Sequence, residues 1–328
     1  MPIRYAAERD KAGVMRQLTT LTVEEFEALV PSVQSAFLDH MPKWTLEGKP
    51  RTGRRYSQYA TCPLPTPEDR LLFVLMYLKA APLQLLHATA FGLTQPKANL
   101  WLHVLLSALR NALQSSGDLP ARSLEELRER LAALSTPASA EPPTDKGDLP
   151  PSTPLFQDGT ERAIPRPTDA AEQKDYYSGK KKRHMIKNLL LASDTRQALF
   201  LTDTYEGSVH DKAIADVTPY PLPAGSELLD DLGFVGYTLA GVIHTRPFKK
   251  PKGGELTAEQ KATNQEIAKR RILIEHVISG IKRCRIGKDT IRIWKDGVRD
   301  LVMEICCALH NLRIRSRPQP LITAKKSV

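Results

Sequence analysis

Cysteine is scarce in this 328-residue chain, and the four present, Cys62, Cys284, Cys306 and Cys307, are unevenly spread. None forms a CxxC pair near histidines, which excludes a disulfide framework and argues against structural zinc; reduced thiols are expected. No run approaches eighteen consecutive apolar residues, and the start, MPIRYAAERDKAG, has no apolar signal-peptide core. The expectation is a soluble, cytoplasmic protein with no membrane partner. There is also no GxGxxG and no Walker A sequence, so nothing points to dinucleotide or P-loop nucleotide binding.

What is present is 41% hydrophobic residues and a formal net charge of +10. The length suffices for two domains, each with its own core. Positive charge favours a polyanion such as DNA, and its placement says more than its sum. GKPRTGRR (48–55), GKKKRH (179–184), RPFKKPK (246–252) and KRRILIEHVISGIKRCR (269–285) are local clusters. Each alone reads as a solvated loop or face, whereas together around carboxylates they describe a basic channel about an acidic site.

Residues 1–134 read as a helical domain. Thr22 and Glu25 form a capping box before TVEEFEALV, with Pro31 interrupting the run, and PTPEDRLLFVLMYLKAA predicts a buried helix. Helix, short turn, helix at 83–114 suggests a helix-turn-helix whose second helix presents Thr94, Gln95, Lys97 and Asn99 to DNA. A plain helical bundle fits as well, and Trp101 reads as core. Ser123 and Glu126 cap a further helix. In the loop KPRTGRRYS, Arg51, Arg54 and Arg55 would enter a minor groove as an arm, or stay solvated. Residues 135–155, rich in Pro, Ser and Thr, read as a linker, and 317–328 as a flexible tail.

After the linker the pattern changes to PLFQDGTERAI, KKRHMIKNLLLAS and ALFLTDTYE as successive strands. A short helix opened by Ser208 follows, then strands at SELLDD and TLAGVIHTRP. Thr257 with Gln260 caps a long helix, and GVRDLVMEICCALHNLRI forms a last amphipathic one that covers the sheet with Val298, Leu301, Val302, Ile305 and Leu309. This is an α/β order compatible with a mixed sheet flanked by helices.

In the long helix, Leu273, Ile274, Val277, Ile278 and Ile281 share a face that should be buried, and Glu275 falls at its border in a stripe with Arg271 and Lys282. The plain reading is an i, i+4 ion pair of Arg271 with Glu275. Asp158, inside the first strand, is costly there unless paired or cation-bound, though with Gly159 it fits a turn equally. Asp230 or Asp231 ends the fourth strand, where functional groups often sit. If the first and fourth strands are adjacent, three hard oxygen donors converge into a site for Mg²⁺ or Mn²⁺. Asp194, Asp203 and Asp211 also lie near element ends, Asp211 most simply as a first-turn acid. His184 and His210 read more readily as polar surface than as ligands.

FQDGTER, YYSGKKKRHMIKN, GSVHDKAI, LLDDLGFVGY and ELTAEQKATNQEIAKRRILIEHVISGIK, in this order, resemble the DDE transposases of bacterial insertion sequences, in the branch related to Harbinger elements. The likeness covers roughly 155–314, and the N-terminal region resembles the helix-turn-helix those proteins carry. It implies an RNase H-like catalytic domain over 156–316 in which Asp158, Asp231 and Glu275 bind two Mg²⁺ or Mn²⁺ ions. Asp231, Gly233 and Phe234 meet the family's D-x-G-F/Y element, favouring Asp231 over Asp230. Arg271, Glu275 and Lys282 meet its helix pattern, with Ala268 where the family has tyrosine. Arg271 and Lys282 would then meet phosphates of a transposon end, and Lys180, Lys181, Lys182 and Arg183 would line the DNA channel. The resemblance further implies binding of terminal inverted repeats, strand cleavage and strand transfer on double-stranded DNA by a homodimer or larger assembly. A noncatalytic relic, a stand-alone metal nuclease and a protein-interaction scaffold are the rival readings.

Overall fold

The computed structural model describes residues 2–53, 56, 62–135, 154–293, 295 and 297–317. Arg54, Arg55, most of the expected linker and nearly all of the expected tail lie outside them.

The helical region comprises α1 (Tyr5–Glu8), α2 (Val14–Thr19), α3 (Val23–His40), α4 (Pro67–Ala80), α5 (Gln84–Ala90), α6 (Gln95–Ser115) and α7 (Leu124–Ser135). The Thr22 hydroxyl accepts from the Glu25 N–H and the Glu25 carboxylate accepts from the Thr22 N–H, so the capping box forms. Pro31, expected to interrupt this run, lies inside a continuous α3. The buried stripe Phe26, Leu29, Val33 and Phe37 runs across it, and its burial offsets the lost hydrogen bond of an internal proline. Trp101 of α6 is core, stacked on Phe37 at 6.0 Å.

The sheet is built from β1 (Leu155–Ala163), β2 (Tyr177–Ser178), β3 (Arg183–Ser193), β4 (Ala198–Leu201), β5 (Tyr205–Glu206), β6 (Glu227–Leu229) and β7 (Ile243–Thr245). Between them stand α8 (Ala170–Tyr176) and α9 (Asp211–Asp216), and α10 (Ala258–Ile281) and α11 (Val298–Ser316) end the chain. β1 is central, antiparallel to β3 and parallel to β6, and β6 is parallel to β7. The first and fourth expected strands are therefore neighbours. α8 and β2, short and polar, had no signal in the periodicity, and the third expected strand, ALFLTDTYE, divides into β4 and β5. α9 begins at Asp211 after His210, not at Ser208, whose N–H is instead held by the Asp175 carbonyl.

Residues on β1 alternate between two apolar clusters. Phe156 joins the cluster containing Ile274, Val277 and Ile281 of α10 and most of α11, while Leu155 joins that of Leu127, Leu131, Ile214 and Phe234. Separate cores for the two expected domains are not formed. The first cluster also takes in α3, α4 and α6, and Glu304 of α11 pairs with Arg110 of α6 through contacts of 2.8 and 3.0 Å. Leu127 and Leu131 of α7 pack on the sheet side, where Ala121 also bonds Leu199 and Leu201 of β4. Among the described residues no helix is long and apolar enough to cross a membrane.

Candidate active site

Side chains two apart on a strand share a face, so Asp158 shares that of Phe156, the face that α10 covers. Ile274, Val277 and Ile281 are buried and fix the roll of α10, which leaves Glu275 exposed at the rim. Asp158 and Glu275 line one open cleft of about 530 Å³ with Ile278, Ser279 and Lys282. Lys282 caps α10, so it sits where the helix's C-terminal partial charge favours a cation.

Asp231 follows β6 and caps a single 3-10 turn, its Oδ1 accepting from the Gly233 N–H at 2.7 Å. A Cβ on Gly233 would stand 2.9 Å from that oxygen, so the close approach needs glycine. Asp230 points elsewhere. It is fully buried, held by Arg246 and by His244 at 3.2 Å, and is committed to the interior.

Burial pushes the Asp158 carboxyl up to about 6; the Arg271 guanidinium opposes this, while the Asp231 and Asp211 charges add to it. Arg271 Nη2 stands 3.7 Å from Asp158 Oδ2. The plain ion pair of Arg271 with Glu275 is thus replaced by one across two elements, because Arg271 is drawn inward to a carboxylate short of countercharge. Burial lowers the Lys282 pKa, with Glu161 and Asp158 opposing and Lys181 adding to the effect.

Asp211 is more than a first-turn acid. Its carboxylate lies 3.2 Å from where a Gly159 Cβ would stand, so glycine leaves room for its close approach to the strand at the residue after Asp158. Lys187 on β3 is buried and joins Asp211 at 3.1 Å and its cross-strand neighbour Glu161 at 3.7 Å. Sequence reasoning passed over this pair. The available signal was a lysine inside an otherwise apolar strand, which calls for a buried partner.

Thr94, Gln95 and Lys97 are exposed at the start of α6, and Asn99, half-buried, donates to Gln84 at 3.2 Å. Lys180, Lys181, Lys182 and Arg183 are exposed on the turn from β2 into β3. Arg51 is held locally, its guanidinium donating to the carbonyls of Met41 at 2.8 Å and Trp44 at 3.3 Å. His184 packs edge-on against Tyr177, and His210 is exposed ahead of α9.

The donor chemistry fits a hard divalent cation. All three acids offer oxygens, and the charges crowding Asp158 are the kind a cation would neutralise. Among the described residues, no three His, Cys, Asp or Glu side chains as they stand are grouped to hold one ion. Glu275, exposed on the helix rim, is the member with freedom to swing inward.

Residues 157–311 match the family model described as DDE superfamily endonuclease, and residues 62–115 match that of the helix-turn-helix of DDE superfamily endonuclease. The chain thus carries a domain of the DDE superfamily endonucleases and the helix-turn-helix domain that accompanies it. The first match spans β1 through most of α11; the second spans α4 to α6, and so includes the expected helix, turn and helix at 83–114. Over 128 residues the chain is 31% identical to "Probable transposase for insertion sequence element IS702" of Microchaete diplosiphon, a match covering 39% of this chain and 46% of that protein. The chain therefore spans about half the length of this curated relative. No solved structure matches.

Proposed function

We propose that this chain is an insertion-sequence transposase that binds terminal inverted repeats and carries out metal-dependent DNA cleavage and strand transfer. The observation that carries the reading is that carboxylates from a central strand and a covering helix, Asp158 and Glu275, line one cleft with Lys282. Asp231, on the adjoining parallel strand's end, acts on the Asp158 charge.

In this reading Asp158, Asp231 and Glu275 hold two Mg²⁺ or Mn²⁺ ions. Bound there, the ions supply activation of an attacking water or 3′-hydroxyl and neutralisation of the leaving oxygen in an in-line displacement. Arg271 holds Asp158 in its anionic form. Lys282 meets the reacting phosphate from the cleft wall, and the exposed Lys180–Arg183 turn holds the flanking backbone. α6 selects the DNA end with Thr94, Gln95, Lys97 and Asn99. Joining needs two ends at once, so a dimer or larger assembly on DNA is part of the proposal.

The test is cleavage and joining of a labelled duplex carrying the element's end, with Mg²⁺ or Mn²⁺, by the wild type and Glu275→Gln. The reading expects a mutant that binds but neither cuts nor joins. Binding without cutting by both proteins would favour the relic, cutting without joining the stand-alone nuclease, and equal cutting would remove Glu275 from the site.

A further inference from the structure

The chain leaving α10 does not go directly to α11. From Lys282 to Lys295 it carries six basic residues, Lys282, Arg283, Arg285, Lys288, Arg292 and Lys295, against the single acid Asp289. Asp289 is already answered by Arg285 at 2.7 Å. Apolar anchors Ile286, Ile291 and Ile293 are buried in the cluster shared with α4 and α6. The Ile291 N–H bonds the Ala163 carbonyl at the end of β1 at 2.9 Å, and Lys79 of α4 donates to the Arg283 carbonyl at 3.1 Å. The segment is therefore fastened at several points while Arg283, Lys288, Arg292 and Lys295 stay exposed.

Its two ends lie in two different depressions. Lys282, Arg283 and Lys288 line the cleft that holds Asp158 and Glu275. Arg292 and Lys295 line a groove of about 470 Å³ beside the start of α6, where Gln95, Asn99 and His103 form part of the opposite lining. Proximity is also registered electrostatically: burial lowers the His103 imidazole, and Lys295 lowers it further.

We infer that residues 282–293 with Lys295 form a binding track for a DNA sugar-phosphate backbone, joining the groove at the recognition helix to the catalytic cleft within one chain, with Arg292 and Lys295 as phosphate contacts at the α6 end. The inference rests on the transposase reading and adds to it a path: the duplex read by α6 continues along this segment to the acids. Fixed backbone and solvent-facing cations suit a polyanion of regular repeat, since each neutralised phosphate releases a counterion. Bases are read by α6 while the track sets their distance from the cleft.

The experiment measures equilibrium binding of the full chain to a labelled mixed-sequence duplex over a salt series, for the wild type, Arg292→Gln/Lys295→Gln and the charge-keeping Arg292→Lys/Lys295→Arg. The track predicts that the slope of log affinity against log salt becomes shallower by about 1.8 in the neutral pair, with binding about tenfold weaker at moderate salt, and is restored in the charge-keeping pair. A second measurement needs no variant: Lys288 and Lys295 of the wild type should be protected from acetylation by bound duplex, whereas Lys11, in the exposed bend between α1 and α2, should not. An unchanged slope, or Lys295 acetylated equally with and without duplex, overturns the track. If the wild type still cuts the element's end in that case, the transposase reading survives alone. If the wild type binds no duplex at all, both fall.

Discussion

Asp158 and Asp230 are both aspartates at strand positions, and their surroundings give them opposite characters. Asp158 is half-buried with two other carboxylates near it, and its carboxyl is raised from 3.8 to about 6. The native state then binds more protons than the unfolded chain between about pH 4 and pH 6, so stability falls as pH rises through that window. In metal-free protein, Asp158→Asn should therefore stabilise the fold by about 2–3 kcal/mol above pH 6 and by nothing below pH 4, measured as denaturation midpoints across pH. Mg²⁺ should raise the wild-type melting temperature at neutral pH and leave that of the variant unmoved. Asp230, clamped by Arg246 and His244, is structural. Asp230→Ala should cost about 3 kcal/mol by leaving the half-buried Arg246 guanidinium without its carboxylate, whereas Asp231→Asn should leave stability near the wild type and abolish cleavage. The family resemblance favoured Asp231 through its D-x-G-F/Y element, and packing agrees in holding Asp230 in the interior, since neighbours on a strand end face opposite ways.

At the scale of elements, α10 carries Glu275 on a scaffold whose start is set by a reciprocal cap, Thr257 accepting from the Gln260 N–H and Gln260 from that of Thr257. Thr257→Ala should lower stability by about 1 kcal/mol in a denaturant titration while leaving the metal-dependent cleavage rate unchanged, because the cap lies several turns from Glu275. Caps and amphipathic stripes were legible because they depend on residues three or four apart. α8, β2 and the break between β4 and β5 were not, because their positions follow from partners distant in sequence. The same limit explains Pro31: its local rule favours a break, and burial of Phe37 beyond it restores the helix. It also explains Asp211, whose role depends on an approach to Gly159 that no local spacing announces.

At the scale of the whole molecule, a formal charge of +10 is spread over exposed turns as well as the cleft. Replacing Lys180, Lys181, Lys182 and Arg183 by glutamine should flatten the salt dependence of duplex binding by up to about 3.6 in slope, four contacts at about 0.9 each, with thermal stability unchanged because all four side chains are exposed. The molecule is also less divided than its sequence suggests. The segment before the expected linker bonds to β4, and Arg110 of α6 is paired to α11, so the helix-turn-helix region and the cleft share a core. A change that loosened this contact, such as Glu304→Ala, should uncouple end binding from cutting more than it weakens either alone, read by comparing affinity with cleavage of a bound end.

The sequence by itself determined which residues have the chemistry: the acids, the basic clusters, the caps and the apolar stripes, because composition and short-range periodicity are local properties. It also determined the order of most strands and helices. Tertiary structure alone decided that Arg271 turns from Glu275 to Asp158, that Asp211 and Lys187 stand beside the first acid, and that the chain after α10 runs from the cleft to the groove beside α6. Those outcomes depend on which surfaces bury each other and on where charge is left without solvent, and neither quantity exists until the chain has closed on itself.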